Sequence, residues 1–199
     1  MSDLFDEPEG ATPLSEEDKD GLIPTWVASR ADLNAAEQTN IAAATTWAYG
    51  RSWKVDDFDQ ATLKRIHLRM FGDVWRWAGG YRDVLTNIGV ESHLIPPEIE
   101  SLLRDLRSQT DGEHTPWSSD EVAIRFHHRL GLIHPFANGN GRHARLVTDL
   151  VAVTLSRPPF SWGSGADIGS MGHARRAIIE ALRAADDGDI GPLLAFARS

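Results

Sequence analysis

The chain contains no cysteine, which excludes a disulfide framework, a thiolate nucleophile and a cysteine-type zinc site. It has no apolar run approaching the roughly 18 residues of a membrane helix, so no membrane association is expected. Its first residues, MSDLFDEPEG, lack both the basic start and the apolar stretch of a secretory or transit segment, and a cytoplasmic protein is expected. Positive charge is scarce overall. A formal net charge of -9 removes the basic face that non-specific nucleic-acid binding needs, so no direct nucleic-acid binding is expected. Internal repeats and low-complexity tracts are also missing. One further absence is local: between Val122 and Thr148 there is neither Asp nor Glu.

What fills that stretch is four arginines (125, 129, 142, 145) and four histidines (127, 128, 134, 143). Within it, His134-Pro-Phe-Ala-Asn-Gly-Asn-Gly-Arg-His-Ala-Arg145 joins a histidine, a Gly-Asn-Gly turn and two arginines. A positive, glycine-rich island in an acidic chain points to an anionic ligand, and the glycines point to a phosphate.

At 199 residues, with 41% hydrophobic and 25% charged residues, the chain fits one globular domain. Residues 1–30 carry acids and prolines and read as an arm packing on a body at 31–199. The body reads as helices. Ser29 with Asp32 forms a capping box before Leu33, Ile41, Ala44 and Ala48 on one face. Phe58, Leu63, Ile66 and Met70 make a second helix ending near Gly72, and Pro96-Pro97 opens a third through Ile99, Leu102, Leu103 and Leu106. Ser118 or Ser119 caps a fourth ending at Ile133; a fifth starts near Gly139 and is stopped by Arg157-Pro-Pro. A sixth spans about 168–185 and a seventh 190–197. Only 81–95 looks β-like: Val84-Leu85-Thr86 and His93-Leu94-Ile95 flank a loose turn, which predicts a hairpin.

If the fifth helix begins at Gly139, its first-turn N–H groups have no intrahelical acceptor, and glycines at 139 and 141 let a phosphate come close. Helical spacing puts Asn138, Arg142 and Arg145 on the side away from the apolar stripe. Arginines grip phosphate oxygens bidentately, and His134 can take a proton from an incoming hydroxyl. His127 and His128 lack a zinc-binding pattern and read as packing groups, as do the seven tryptophans. Glu37 falls inside an apolar helix face and so requires a cationic partner.

The 134–145 segment resembles the signature of the Fic (Fido) family, His-Pro-Phe-x-Asp/Glu-Gly-Asn-Gly-Arg-x-x-Arg, at every defined position except Asn138. Phe71 to Arg82 resembles the run leading into that family's flap, and Ala185 to Leu193 resembles its C-terminal end. The arm and Asn138 resemble the mobile mystery protein B subgroup. The resemblance implies an all-α Fic-type bundle with one small β-hairpin, and transfer of AMP from ATP to a Tyr, Thr or Ser hydroxyl of a target protein. It implies His134 as the general base, Gly139, Asn140 and Gly141 as the phosphate cradle, Arg142 and Arg145 as phosphate grips, and Phe136 as the loop anchor. The target would lie along a flap made by Val84, Leu85, Thr86, Asn87, His93, Leu94 and Ile95.

Asn138 stands where the family has a magnesium-binding acid, so Mg2+ would be weakly held. Family members with an inhibitory helix imply that Glu37 would pair with Arg145 and repress the site, although Leu33 and Gln38 depart from that helix's pattern. The alternatives are transfer or removal of another phosphate-linked group, or a nucleotide-binding, toxin-antitoxin-like interaction protein with a regulatory partner and weak or lost catalysis. Gly141, where the Doc branch has Lys, disfavours transfer of the terminal phosphate.

Overall fold

The structure, a computed structural model, describes residues 14–110, 115–163 and 173–199. Among these it holds eight α-helices: α1 Glu16–Lys19, α2 Arg30–Tyr49, α3 Gln60–Phe71, α4 Ile95–Thr110, α5 Ser119–Ile133, α6 Asn140–Thr154, α7 His173–Asp186 and α8 Gly191–Arg198. Their ends follow local chemistry. At α2 the Ser29 hydroxyl accepts from Asp32 N–H at 3.2 Å, and the Asp32 carboxylate accepts from Ser29 N–H at 3.0 Å. Asp59 caps α3 and Ser118 caps α5 with a side-chain oxygen alone, accepting from Thr62 and Glu121 N–H. The expected start of the sixth predicted helix, at 168, lies outside the described residues.

Apolar faces at helical spacing meet in one core. Leu63 and Ile66 from α3, Ile95 and Ile99 from α4, Ala123 and Ile124 from α5, Val147 and Val151 from α6, and Leu193 from α8 are fully buried. Helices α5 and α6, joined by residues 134–139, pack against each other; α2 lies on α3 and α4 on α5. Asp120, at the start of α5, accepts from Arg157 at 2.8 Å and from Arg198 at 2.6 Å, which ties both the end of α6 and the last helix to α5. Burial would raise that carboxyl, but the two arginines win and bring it to about 2.

The described part of the arm docks on the segment after α3. Ile23 N–H donates to the Val74 carbonyl at 2.9 Å, Arg76 N–H to Gly21 at 2.9 Å, and Trp77 Nε1–H to Asp18 at 3.1 Å. Residues 1–13 lie outside the described residues.

The expected hairpin is not there. Among the described residues the β-type pairing recorded outside helices is an isolated bridge between Leu22 and Trp75, and 81–91 is an irregular loop leading through a 3-10 turn at Ser92–Leu94 into α4. The physical reason is where the loop's backbone finds partners. Arg82 N–H donates to Pro135, Val90 N–H to Ile133, and the carbonyls of Val84 and Val90 accept from the Arg82 guanidinium. These groups are satisfied by the end of α5 and by one side chain, not by a facing strand. Ile95, predicted to lie on the flap, is instead fully buried as the first residue of α4.

Candidate active site

Helix α5 ends at His134 in the left-handed conformation, φ 52 and ψ 61. Such a backbone costs on the order of 1 kcal/mol for a non-glycine residue and persists only where surroundings impose it. Here the surroundings are explicit. The His134 carbonyl accepts from Arg82 Nε–H at 2.7 Å, and Pro135 forbids continuation of the helix. The imidazole Nδ1 lies 3.3 Å from the Gly131 carbonyl, a contact that assigns the proton to Nδ1 and leaves Nε2 as the basic nitrogen. Burial first, and then the Arg82 charge, push the imidazole down to about 4. His134 is therefore neutral at ordinary pH and able to accept a proton.

The loop after it is held from below. Phe136 is fully buried, with His67 stacked on its ring at 3.7 Å and His143 edge-on at 4.9 Å. The Asn140 side chain folds back onto the same residue, accepting from Phe136 N–H at 2.9 Å and donating to its carbonyl at 2.8 Å. His67 accepts from Gly79 N–H on Nδ1 at 3.0 Å, so its Nε2–H donates to the Asn138 carbonyl at 3.1 Å. Asn140 thus shapes the loop with its side chain, leaving its backbone for any anion.

Gly139 begins α6 at φ 76, and a Cβ there would come within 2.5 Å of the Phe71 ring, so only glycine fits. No side chain caps this helix. Its first-turn N–H groups lack intrahelical acceptors and lie at the positive dipole end, chemistry that favours an anion. Asn138 Oδ1 takes Gly139 N–H at 2.5 Å and lies 3.5 Å from Arg142. A neutral oxygen already accepting an N–H beside a guanidinium does not suit a hard dication. Among the described residues no group of three or more His, Asp or Glu gathers around a metal position either. The residues of this loop do not fit a protein-held magnesium site.

Glu37 is 5% exposed and does find its cation, but a different one from that expected. Its Oε2 lies 2.5 Å from Arg142 Nη1, its Oε1 accepts from Trp75 Nε1–H at 2.8 Å, and the Arg142 guanidinium lies 4.8 Å from the centre of the Phe71 ring. The predicted partner, Arg145, is one helical step further round α6. The register of α2 decides this: Asn40 donates to the Arg69 carbonyl at 2.9 Å and accepts from Asp73 N–H at 3.0 Å, which sets Glu37 beside Trp75 and Arg142. Among the described residues the Arg145 side chain makes no hydrogen bond or ion pair. Burial, then repulsion from Arg142, bring it down to about 10, opposed by Asp149, so it remains a cation.

The 84–94 segment presents Leu85, Val84 and Ile88 to solvent, with Leu94 also exposed. Thr86 Oγ1–H turns in to the Ile88 carbonyl at 2.5 Å, Asn87 is exposed, and His93 Nδ1 lies 3.4 Å from Glu91. Elsewhere on α5, His127 packs on Trp162 and His128 meets Asp186 at 2.7 Å, so neither joins the loop. Arg82, His67 and Trp75 were not singled out by periodicity, because each acts on a backbone group or on a partner distant in sequence.

Three buried histidines and the half-buried His134 give this region a pH signature. Burial, the leading cause in each, holds His127 at about 3, His134 and His143 at about 4, and His67 well below its usual value. A depressed histidine binds its proton in the unfolded chain first, so stability is lost as pH falls below about 6.5, by up to roughly 3 kcal/mol each for His134 and His143. Asp149, raised by burial to about 6, acts oppositely: its contribution is present at low pH and fades as pH rises through about 6. Four against one decides the sign. The urea midpoint is expected to fall steadily from about pH 7 to about pH 4.5, and a flat profile over that window would refute neutral burial.

Comparison with known proteins places this geometry. The model described as "Fic/DOC family" matches residues 57–152. A protein adenylyltransferase Fic of Nematostella vectensis is 32% identical over 141 residues, covering 66% of this chain and 29% of that protein. A probable protein adenylyltransferase of Sinorhizobium fredii is 27% identical over 148 residues, 71% of this chain and 72% of the relative. A solved structure of Fic-1 from C. elegans superposes with TM-score 0.67 at 20% identity, over 90% of this chain and 51% of that one. BepC of Bartonella tribocorum, solved with bound AMPPNP, superposes with TM-score 0.66 at 18% identity, over 92% and 97%. The chain spans less than a third of the Nematostella relative's length. Among the described residues no helix is long and apolar enough to cross a membrane.

Proposed function

We propose that this chain, which matches the Fic/DOC family over residues 57–152, transfers AMP from ATP to a Tyr, Thr or Ser hydroxyl of a target protein. The observation that carries this reading is the loop itself. A neutral imidazole closes α5, and residues 134–139 lead directly into an uncapped helix start with Arg142 and Arg145 in its first turns. In the proposed step His134 Nε2 takes the hydroxyl proton while the hydroxyl oxygen forms a bond to the α-phosphorus. The bond from that phosphorus to its leaving oxygen breaks, and pyrophosphate departs with the electron pair. The α6 N–H groups and the two arginines stabilise the phosphate charge. A hard metal ion, if used, would find its oxygens on the nucleotide, since Asn138 supplies none that is anionic.

Glu37 is the restraint in this reading. Bound to Arg142, it occupies one of the two guanidinium grips that the phosphates require. The target lies over Val84, Leu85 and Leu94, whose exposed side chains offer apolar contacts, with the exposed amide of Asn87 among them. Asn138 and the acidic arm support placement in the subgroup resembling mobile mystery protein B. A second reading has one observation in its favour: Asn138 Oδ1 spends itself on Gly139 N–H, so the loop can bind a nucleotide without completing chemistry, as a sensor with a regulatory partner would.

Incubation of the purified protein with α-labelled and γ-labelled ATP decides between them. Label is expected in protein from the α position only, and absent with His134→Ala. Label from the γ position would point to phosphate transfer, and nucleotide binding without label from either would establish the sensor.

A further inference from the structure

Arg82 is 5% exposed, yet among the described residues no carboxylate pairs with it. Its partners are carbonyls: Nε–H donates to His134 at 2.7 Å, Nη1–H to Val84 at 2.7 Å, and Nη2–H to Val90 and, more distantly at 3.4 Å, to Ile133. Its own backbone N–H donates to Pro135 at 2.9 Å. The carbonyls of Ile133 and His134 have no donor within the helix and form the negative end of α5, which is where a buried cation is best stabilised without a counter-ion. The remaining two acceptors, Val84 and Val90, stand at either end of the exposed loop. One planar fork therefore closes that loop and grips the peptide of His134 simultaneously.

Gly89 supplies an independent sign that the arrangement is specific. It sits at φ 117, and a Cβ there would come within 2.5 Å of Arg82 Nη2 and 2.8 Å of the His134 Cβ. The loop must approach both groups, and only a residue with no side chain at that point lets it.

We propose that Arg82 is a positioning residue that locks the 84–90 loop and His134 into one unit, so that a target segment docking on the loop is registered against the histidine. The inference rests on the adenylyl-transfer reading for what is registered, but the mechanical coupling stands apart from it. Lysine cannot replace the fork: one ammonium has three donors on a single nitrogen and cannot reach carbonyls on both sides of the loop and on α5. The outward Val84 and Leu85 then meet the target while their backbone is held from behind.

The test uses the full chain with Arg82→Gln, Arg82→Lys and Gly89→Ala, reading amide hydrogen exchange by segment and label transfer from α-labelled ATP. In Arg82→Gln and Arg82→Lys, exchange is expected to quicken by about tenfold or more at 83–91 and at 133–136 together, while α4 and α8 keep their protection. Gly89→Ala, which keeps the arginine but drives a methyl group against its Nη2 and against the His134 Cβ, is expected to loosen the same two segments. Loosening of one segment without the other, or of neither, overturns the proposal. Where the parent transfers label, Arg82→Lys is expected to lose about tenfold in rate at saturating ATP with ATP affinity kept within about twofold, a split that general destabilisation would not give; unchanged rate also overturns it. A parent that transfers no label removes the adenylyl-transfer reading, and the exchange pattern still decides the coupling.

Discussion

His134→Ala is expected to lower transfer of α-label by two to four orders of magnitude, roughly the range for loss of a positioned general base, while ATP affinity changes by about twofold or less. The two readouts separate because the imidazole is assigned to the hydroxyl and the α6 N–H groups and arginines to the phosphates. The backbone matters as much as the ring. His134 sits at φ 52, where asparagine is better tolerated than alanine, so His134→Asn keeps the αL turn and removes the base. Both variants should fail alike. Retained transfer in His134→Asn would end the assignment of this residue as the base. With the imidazole held at about 4, the parent's rate is expected to be level from about pH 8 down to about pH 5 and to fall only below that, since the neutral form is lost as pH drops through about 4. A rate that declines already at about pH 6.5 would show that the histidine titrates as if exposed.

Glu37→Gly is expected to raise self-labelling by more than about tenfold, a gain that corresponds to freeing a guanidinium from an anion some 1.4 kcal/mol better than the competing phosphate. It also leaves Trp75 Nε1–H without its 2.8 Å acceptor and Arg142 without its carboxylate. Because Arg142 is about a third exposed, the cost to stability is on the order of 2 kcal/mol and not the larger figure of a fully buried pair. Glu37→Gln divides these effects: its amide oxygen can still accept from Trp75, but the charge on Arg142 is released. The gain in labelling should therefore survive in Glu37→Gln while most of the stability loss does not. If neither variant labels more strongly than the parent, Glu37 is a structural carboxylate and the restraint is withdrawn.

The helices were readable because their signals are local. Ser29 with Asp32, Asp59, Ser118 and the Arg157-Pro-Pro stop all act within a few residues, and the apolar positions they enclose keep one period. The flap was misread for the opposite reason. Val84-Leu-Thr and His93-Leu-Ile have strand-forming residues, but whether they pair depends on what else offers backbone partners. Arg82 and the end of α5 take that role from across the fold. Glu37 shows both sides. Periodicity placed a carboxylate on an apolar face and so demanded a cation, whereas choosing Arg142 over Arg145 required the rotation of α6 against α2, set by Asn40 on Arg69 and Asp73. His67 and Asn140 shape the loop through main-chain groups, which any residue possesses and no pattern marks. Ile95 was assigned to the flap because the helix was started at Pro96; the chain enters α4 one residue earlier and buries it.

Asn40 on Arg69 and Asp73, with Tyr49 hydroxyl 3.4 Å from Asp149, fastens α2 to its neighbours near the middle and at its end. The Glu37 carboxylate is thereby tethered beside Arg142 at an effective concentration fixed by the fold and independent of how much protein is present. On the reading proposed above, dilution would not relieve such an intramolecular competitor. An incoming phosphate would displace it only in proportion to its own concentration, so the fraction of open sites would be the same for a scarce protein as for an abundant one.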